Sequence, residues 1–330
     1  MKSKLLTVAM MALLLIFAAA ALPAQDITSD EFKQAFQDFA DDMASSLPLT
    51  STIGNNTADA YIGQLLSLPP NIGFGLTVGA ATIPYATVES LFKELNLEVP
   101  SEIKDFQTLG VPNPAYTIDA RVGGFVLPFD FGLKFGTLGS GGLNAGDLEM
   151  DYLLAGGDIR YAVMEQSVLR PNISIGVGYN YMRGRIVVPE VISETFEFDT
   201  DGDGIADASI TGGADAYLEW QTNVIDVKAQ ISKSFIILTP YAGVGAAYGV
   251  SSAGGGLIGT ISDADAQTLK EAGIDVDGKE VGVSSDVSGW SLRAFGGTSV
   301  NILLLRLDLG LGYDIVGENF VGTVGARFQL

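Results

Sequence analysis

The last thirty residues constrain this chain more than any other stretch; from Asn301 they read NILLLRLDLGLGYDIVGENFVGTVGARFQL. Leu303, Leu305, Leu307, Leu309, Leu311 and Tyr313 take alternate positions, with Leu304, Arg306, Asp308, Gly310, Gly312 and Asp314 between them. Phe320, Gly322, Val324, Ala326, Phe328 and Leu330 then stand opposite Asn319, Thr323, Gly325, Arg327 and Gln329. A strand turns successive side chains to opposite faces, so each segment has one greasy face and one small or charged face. Such strands need a sheet whose two sides meet different surroundings.

The chain has 330 residues, enough for one large barrel or two ordinary domains. Residues 1–24 have the form of a secretory leader: Lys2 and Lys4, the apolar run Leu5–Leu22, then Pro23-Ala24, with cleavage expected after Ala24. Losing the two lysines moves the formal charge from −21 to −23. That balance argues against nucleic acid and against anionic surfaces as partners. Yet 47% of the residues are apolar, so the charge must be kept apart from the grease. Acidic loops outside a membrane and strands within it would do so. With no cysteine there is neither a disulfide framework nor a lipid-modified cysteine. The uncharged stretch Phe235–Ile261 is long enough for a membrane helix, but Pro240, scattered glycines and a period of two read as a strand and a glycine-rich loop.

Asp26 to Ser46 reads as a helix. Thr28 and Glu31 form a capping box, and Phe32, Phe36, Phe39, Ala40 and Met43 make one apolar stripe. Residues 47–70 read as a plug, a linker or an extra strand pair. From Asn71 alternation recurs in ten segments: 71–79, 117–123, 131–136, 153–163, 172–181, 225–232, 236–250, 287–298 and the final two. Connections 127–129, 233–234 and 298–301 are tight, 165–171 is modest, and 82–113, 138–148, 188–214 and 251–286 are long. Short turns on one side and long loops on the other is the plan of a transmembrane barrel, with the short side periplasmic. A soluble sandwich, the competing fold, would not sort its loops this way. The expected architecture is therefore all-β: an antiparallel transmembrane β-barrel over residues 71–330, of ten strands, or twelve if 47–70 adds a pair. Residues 25–70 are its N-terminal helical plug or linker.

An amphipathic final strand with Phe328 and a terminal Leu330 resembles the closing strand of bacterial outer-membrane β-barrels. The resemblance implies an outer-membrane location, contact with outer-membrane lipid, and recognition of the last strand by the barrel-assembly machinery.

The chain has no histidine and no cysteine, which removes Ser-His-Asp and Cys-His catalysis and thiolate metal sites, and no carboxylate pair stands at a recognisable catalytic spacing. An enzyme is not expected. Asp199, Asp201, Asp203, Gly204 and Asp207 match D-x-D-x-D-G-x-x-D, similar to calcium loops. Hard Ca²⁺ wants several oxygens, here the four carboxylates and the Ile205 carbonyl, and Gly204 permits the turn that converges them. Ile210 stands where an EF-hand has its bidentate Glu, so affinity should be low; the alternative is a solvated acidic turn.

The inward face of the predicted strands carries Asp119, Arg121, Lys134, Asp158, Arg160, Asp226, Lys228, Arg293, Arg306, Asp308 and Arg327. In a narrow lumen such charges pair; alternatively, their excess of three cations forms a ladder for an anionic or small polar solute. Residues 86–96, with Val88, Leu91, Phe92 and Leu95 on one stripe, and 262–272 read as helices in the outer loops, either a lid or a packed pair. A helical segment able to plug a barrel, helical outer loops and a glycine-rich lining together resemble the long-chain fatty-acid outer-membrane transporter family. That resemblance implies transport of a hydrophobic solute. Two functions follow as expectations: a narrow channel or transporter for small or hydrophobic solutes, or a structural or surface-interaction protein whose barrel only anchors its loops.

Overall fold

The computed structural model describes residues 30–66, 70–94, 99, 101–138, 149–198, 208–261 and 280–330. The leader, the Thr28 cap, the 199–207 acidic loop and the 262–272 helix lie outside them. Helix α1 is Asp30–Thr50. Ten strands follow: β1 Ile72–Ile83, β2 Val111–Gly123, β3 Phe129–Leu138, β4 Glu149–Met164, β5 Asn172–Phe198, β6 Ala208–Ser232, β7 Leu238–Ile261, β8 Glu280–Ile302, β9 Leu305–Asp314 and β10 Asn319–Gln329. Helices α2 (Tyr85–Glu94) and α3 (Ser101–Lys104) lie between β1 and β2.

Every strand pairs antiparallel with its sequence neighbours, and β1 pairs with β10 from Gly73↔Gln329 to Ala81↔Val321, which closes the barrel at ten strands. Among the described residues of 47–70 there is no strand. Closure removes both sheet edges over the spanning band, as hydrocarbon requires when it offers backbone groups no partner. The outward side chains of that band are the alternating apolar ones, and Phe74, Leu133, Ile175, Val227, Val244 and Leu309 are all exposed. The band ends in aromatic rows, with Tyr248 edge-on to Trp290 at 5.4 Å and Tyr313 against Phe320 at 4.8 Å. From Leu238 to Tyr248 on β7 the rise is ~25 Å at the usual barrel tilt, the height of a transmembrane barrel's apolar band.

The strands are unequal. β9 and β10 have 10 and 11 residues, about what a membrane requires, while β5, β6, β7 and β8 have 27, 25, 24 and 23. Much of 188–214 and 251–286, expected to be loop, is therefore strand. The reason is a reversal of phase. Within the band β5 turns Ile175, Val177 and Tyr179 outward; above it Arg183 and Arg185 face out, while Met182 and Ile186 are buried inside. On β6 outward Ile225 and Val227 give way to inward Leu218 and Trp220. The pairing runs on while the apolar face changes sides, because lipid is replaced outside by water and the lumen above the band is apolar.

What makes that lumen apolar is α1. It packs inside the barrel against β7 and β8 chiefly, and against α2. Its Phe36, Phe39, Ala40 and Met43 are buried, as is Leu47. The helix also runs past the predicted end at Ser46 and through Pro48, a residue that ordinarily stops a helix. Ser46 Oγ and Thr50 Oγ1 donate back to the Met43 and Ser46 carbonyls at 2.8 and 3.0 Å in a fully buried setting, and tertiary packing overrides the proline.

Candidate functional site

The lumen has two storeys. In the upper one, Phe36, Phe39, Met43 and Leu47 of α1 meet Leu154, Met182, Ile186, Leu218, Trp220 and Ala253 of the wall, all within one buried cluster. Gly184 faces Trp220 directly across the β5–β6 pair, and any side chain there would collide with the indole. Val88 and Phe92 of α2, with Ile103 of α3, cover the helix from the side where the wall is short. The described part of the predicted stripe on residues 86–96, Val88 and Phe92, is thus a cap on α1. Two polar ties accompany it: Thr87 Oγ1 donates to Asp42 Oδ2, and Ser285 Oγ donates to Asp41 Oδ1. Burial pushes the Asp42 carboxyl up from the ordinary 3.8; the Thr87 hydrogen bond opposes this, and Asp41 and Asp38 add to it.

Below α1 the chain runs irregularly down the lumen from Ser51 to Leu66 and reaches the short-turn end, where β1 starts. The wall holds this segment mostly by its backbone. Lys134 Nζ donates to the Ser51 carbonyl and, at 2.8 Å, to that of Ile53. Lys228 Nζ donates to the Asn55 carbonyl at 2.7 Å, Gln230 Nε2 to that of Thr57 at 2.6 Å, and Arg160 Nη1 to that of Asp59 at 2.6 Å. In return Ala60 N donates to Ser232 Oγ at 2.9 Å, Ile62 N to Asp130 Oδ2 at 3.1 Å, and Leu65 N to the Gly124 carbonyl at 2.8 Å. An irregular buried segment has no ladder partners, so its polar backbone must find side chains.

The inward residues marked in the sequence are all placed in this lower storey. Arg121 pairs with Asp130 at 2.6 Å and with Asp158; Lys228 pairs with Asp158 at 3.2 Å. Arg160 grips Asp130 with Nε and Nη2, both at 2.8 Å. Arg293 pairs with Asp226, and Arg327 lies 3.6 Å from both Asp119 and Asp308. Arg306 reaches Asp59 of the plug. Gly132 sits between Arg121 and Asp158, where only a missing side chain lets them meet.

Two members escaped the sequence. Asp130 is in phase with Lys134 but stands at the first turn of β3, before the predicted start at Phe131. Asp59 lies in the plug, which has no periodicity to mark it. With them the seven cations face six carboxylates, and Lys134 is taken up by plug carbonyls. With these two carboxylates counted, the excess of three cations becomes one among the described residues, and each of the seven cations has a carboxylate or carbonyl partner. Two of the spaces among these groups are about 10 Å³, beside Gly54, Asp119 and Lys134, and about 20 Å³, beside Thr52, Tyr241 and Phe295. No cluster of metal-binding side chains occurs among the described residues.

No family model and no curated protein matches the sequence. Among solved structures, the chain is similar to the outer-membrane protease OmpT of Escherichia coli, at 11% identity over 79% of this chain and 97% of that one, with a TM-score of 0.39. It is similar to Ail, the attachment invasion locus protein of Yersinia pestis, at 11% identity over 79% and 97%, with a TM-score of 0.26. The toluene transporter TbuX of Ralstonia pickettii matches at 10% identity over 85% and 92%, with a TM-score of 0.27. Likeness of this degree concerns the barrel alone. The closed ten-strand sheet, its apolar outer band and its aromatic rows define an integral β-barrel of the bacterial outer membrane.

Proposed function

We propose that this barrel is a plugged transporter for small hydrophobic solutes, with α1 occupying the solute's chamber in the closed state. The reversed upper storey carries the reading. A barrel wall that turns Leu154, Met182, Ile186, Leu218 and Trp220 inward makes an apolar chamber at the outer end of the lumen, and what fills it is a helix, not part of the wall. The lower storey supports a removable plug, since residues 51–59 are held largely through carbonyls that water or a shifted register can replace. Ten strands and spaces of about 10 and 20 Å³ do not support an open aqueous pore. The near balance of charge gives no support to an anionic solute. Without histidine or cysteine, no catalytic role is assigned. The closing strand β10 is read as the element handed to the assembly machinery.

A structural or surface-interaction role is the second reading. It is favoured by the extension of β5–β8 well past the apolar band, with a polar outer face.

A locked plug separates the two. The chain lacks cysteine, so Asp41→Cys with Ser285→Cys adds one pair at a point where α1 already touches β8. In vesicles with the reconstituted protein, uptake of a small uncharged aromatic should exceed that of empty vesicles. It should fall on oxidation of the double variant and return on reduction. Uptake equal to empty vesicles, or indifferent to the lock, would leave the surface role standing.

A further inference from the structure

At the depth of the Tyr248–Trp290 pair the inner wall changes from apolar to charged, and three rows of inward residues cross β5–β8 there. From the outer side they are Asn180–Val224–Gly249–Gly289, Gly178–Asp226–Ala247–Ser291 and Gly176–Lys228–Gly245–Arg293. Half of these places hold glycine or alanine, so the wall is recessed, and a side chain built at Gly289 would meet nothing within 4 Å. The chain inside the lumen reaches these rows where Pro48 of α1 packs on Gly249 and where Asn55 of the plug is bonded. Asn55 Nδ2 donates to Asn180 Oδ1 at 3.0 Å, and Lys228 Nζ donates to the Asn55 carbonyl at 2.7 Å.

Four buried side chains on these rows carry atoms without a hydrogen-bond partner among the described residues: Asn180 Nδ2, Asp226 Oδ1, Ser291 Oγ, and Arg293 Nε and Nη1. Arg293 spends its remaining nitrogen on Asp226 Oδ2, leans across Gly245 and lies 6.0 Å from the Phe295 ring. One row further out, by contrast, the Thr222 and Ser251 hydroxyls satisfy each other at 2.8 Å. An unpaired buried polar atom is costly, most of all on a charged group, so whatever rests in the recess must hydrogen-bond. The inventory is mixed. The arginine and amide nitrogens only donate, the carboxylate oxygen only accepts, and the serine hydroxyl does either. A carboxylate would meet Asp226 as a second anion, an ammonium would meet Arg293, and a hydrocarbon would leave every atom unserved. A hydroxyl is the smallest group that both accepts and donates.

We propose that the apolar chamber ends in a hydroxyl-binding recess, Asp226 accepting from the solute's hydroxyl and Arg293 and Ser291 donating to it, so that the solute is an uncharged hydrophobic alcohol or phenol. This rests on the reading of α1 as a plug that gives up the chamber. With the helix displaced, the apolar body of the solute lies against Met182 and Trp220, and its hydroxyl reaches the rows below them.

The test uses the full mature protein, reconstituted in vesicles and checked for heat-modifiable migration. Equilibrium binding of radiolabelled naphthol is measured, with naphthalene, methoxynaphthalene and naphthoate as competitors, each corrected for partition into empty vesicles. Naphthol should bind about 10- to 100-fold more tightly than naphthalene, as hydrogen bonds to charged groups imply. Methoxynaphthalene, which accepts but cannot donate, and naphthoate, which is an anion, should both compete at least about tenfold more weakly than naphthol. Ser291→Ala should reduce the preference for naphthol over naphthalene about 2- to 10-fold. Asp226→Leu with Arg293→Met, an apolar replacement of the buried pair, should abolish it. If that variant does not fold, Ser291→Ala and the methoxy probe still decide. Equal affinities for the three uncharged probes would mean that the recess serves ordered water only, and would overturn the proposal. Undiminished binding while the oxidised Asp41→Cys, Ser285→Cys pair holds α1 in place would do the same. Uptake is measured separately in the same vesicles. Selective binding without uptake strikes the transport reading and leaves the recess, whereas uptake of the three uncharged probes alike, with equal affinities, strikes the recess and leaves transport.

Discussion

Asp130→Ala probes the lumen network at its centre. The carboxylate is fully buried and accepts from Arg121 Nη1 at 2.6 Å, from Arg160 Nε and Nη2 at 2.8 Å each, and from the Ile62 amide at 3.1 Å. Its loss does not affect the two arginines equally. Arg121 keeps Asp158, whereas Arg160 keeps only neutral acceptors, the Thr57 hydroxyl at 3.3 Å and the Asp59 carbonyl at 2.6 Å. A fully buried guanidinium left without its carboxylate costs about 3–5 kcal/mol. Arg160→Ala in the same chain removes the stranded charge, so the double variant should recover at least about 1 kcal/mol relative to the sum of the singles. Asp59→Ala is the contrasting case. Asp59 is itself buried, but its partner Arg306 is 21% exposed, so water reaches the guanidinium left behind and the loss should be smaller than for Asp130→Ala. The assay is reversible urea unfolding in lipid vesicles, followed by tryptophan emission; Trp220 and Trp290 are the two reporters. A loss below about 1 kcal/mol for Asp130→Ala, or one no larger than for Asp59→Ala, would refute the view that the lower storey is a dry, paired network.

Three further outcomes are expected. On the lipid face, Val324→Arg in the middle of β10 should cost about 2–4 kcal/mol, whereas Phe328→Asp near the interface should cost less than about 1 kcal/mol and act mainly by slowing assembly, read as heat-modifiable barrel in the outer membrane. Because burial raises the Asp42 carboxyl, its protonated form is the better-bound one in the folded state. Stability from this group is therefore full at acid pH and declines as pH rises from the ordinary 3.8 through the raised value; protease resistance of α1 should be greater near pH 4 than at pH 7, and Asp42→Asn should remove that difference. Calcium, if held by Asp199, Asp201, Asp203, Asp207 and the Ile205 carbonyl, should bind with a Kd of ~10⁻⁴–10⁻³ M and protect the segment between Phe198 and Ala208 from protease; no calorimetric heat at several millimolar Ca²⁺ would make that segment a plain acidic turn.

The barrel is legible in the order of residues alone. Ten segments of period two carry their own instruction, because each strand in a lipid band must place apolar groups outward and the pleat admits only one register for that. The inward charges are legible too, since Arg121, Asp158, Arg160 and Lys228 fall in the opposite phase to their apolar neighbours. The features that depend on packing lie where the surroundings of a face change. Above the aromatic row the outside of β5–β8 is wet and the inside dry, so Met182, Ile186, Leu218 and Trp220 reverse the phase and the run reads locally as loop. Whether 47–70 would pair as strands or descend the lumen depended on carbonyls, which every residue possesses and no pattern marks. Lys134, Lys228, Gln230 and Arg160 recognise that backbone, so the plug's course was fixed by residues at least 81 positions away from the ones they hold. Asp59 and Asp130 became the network's missing partners for the same reason: their roles arise from a neighbour that closure of the barrel brings near.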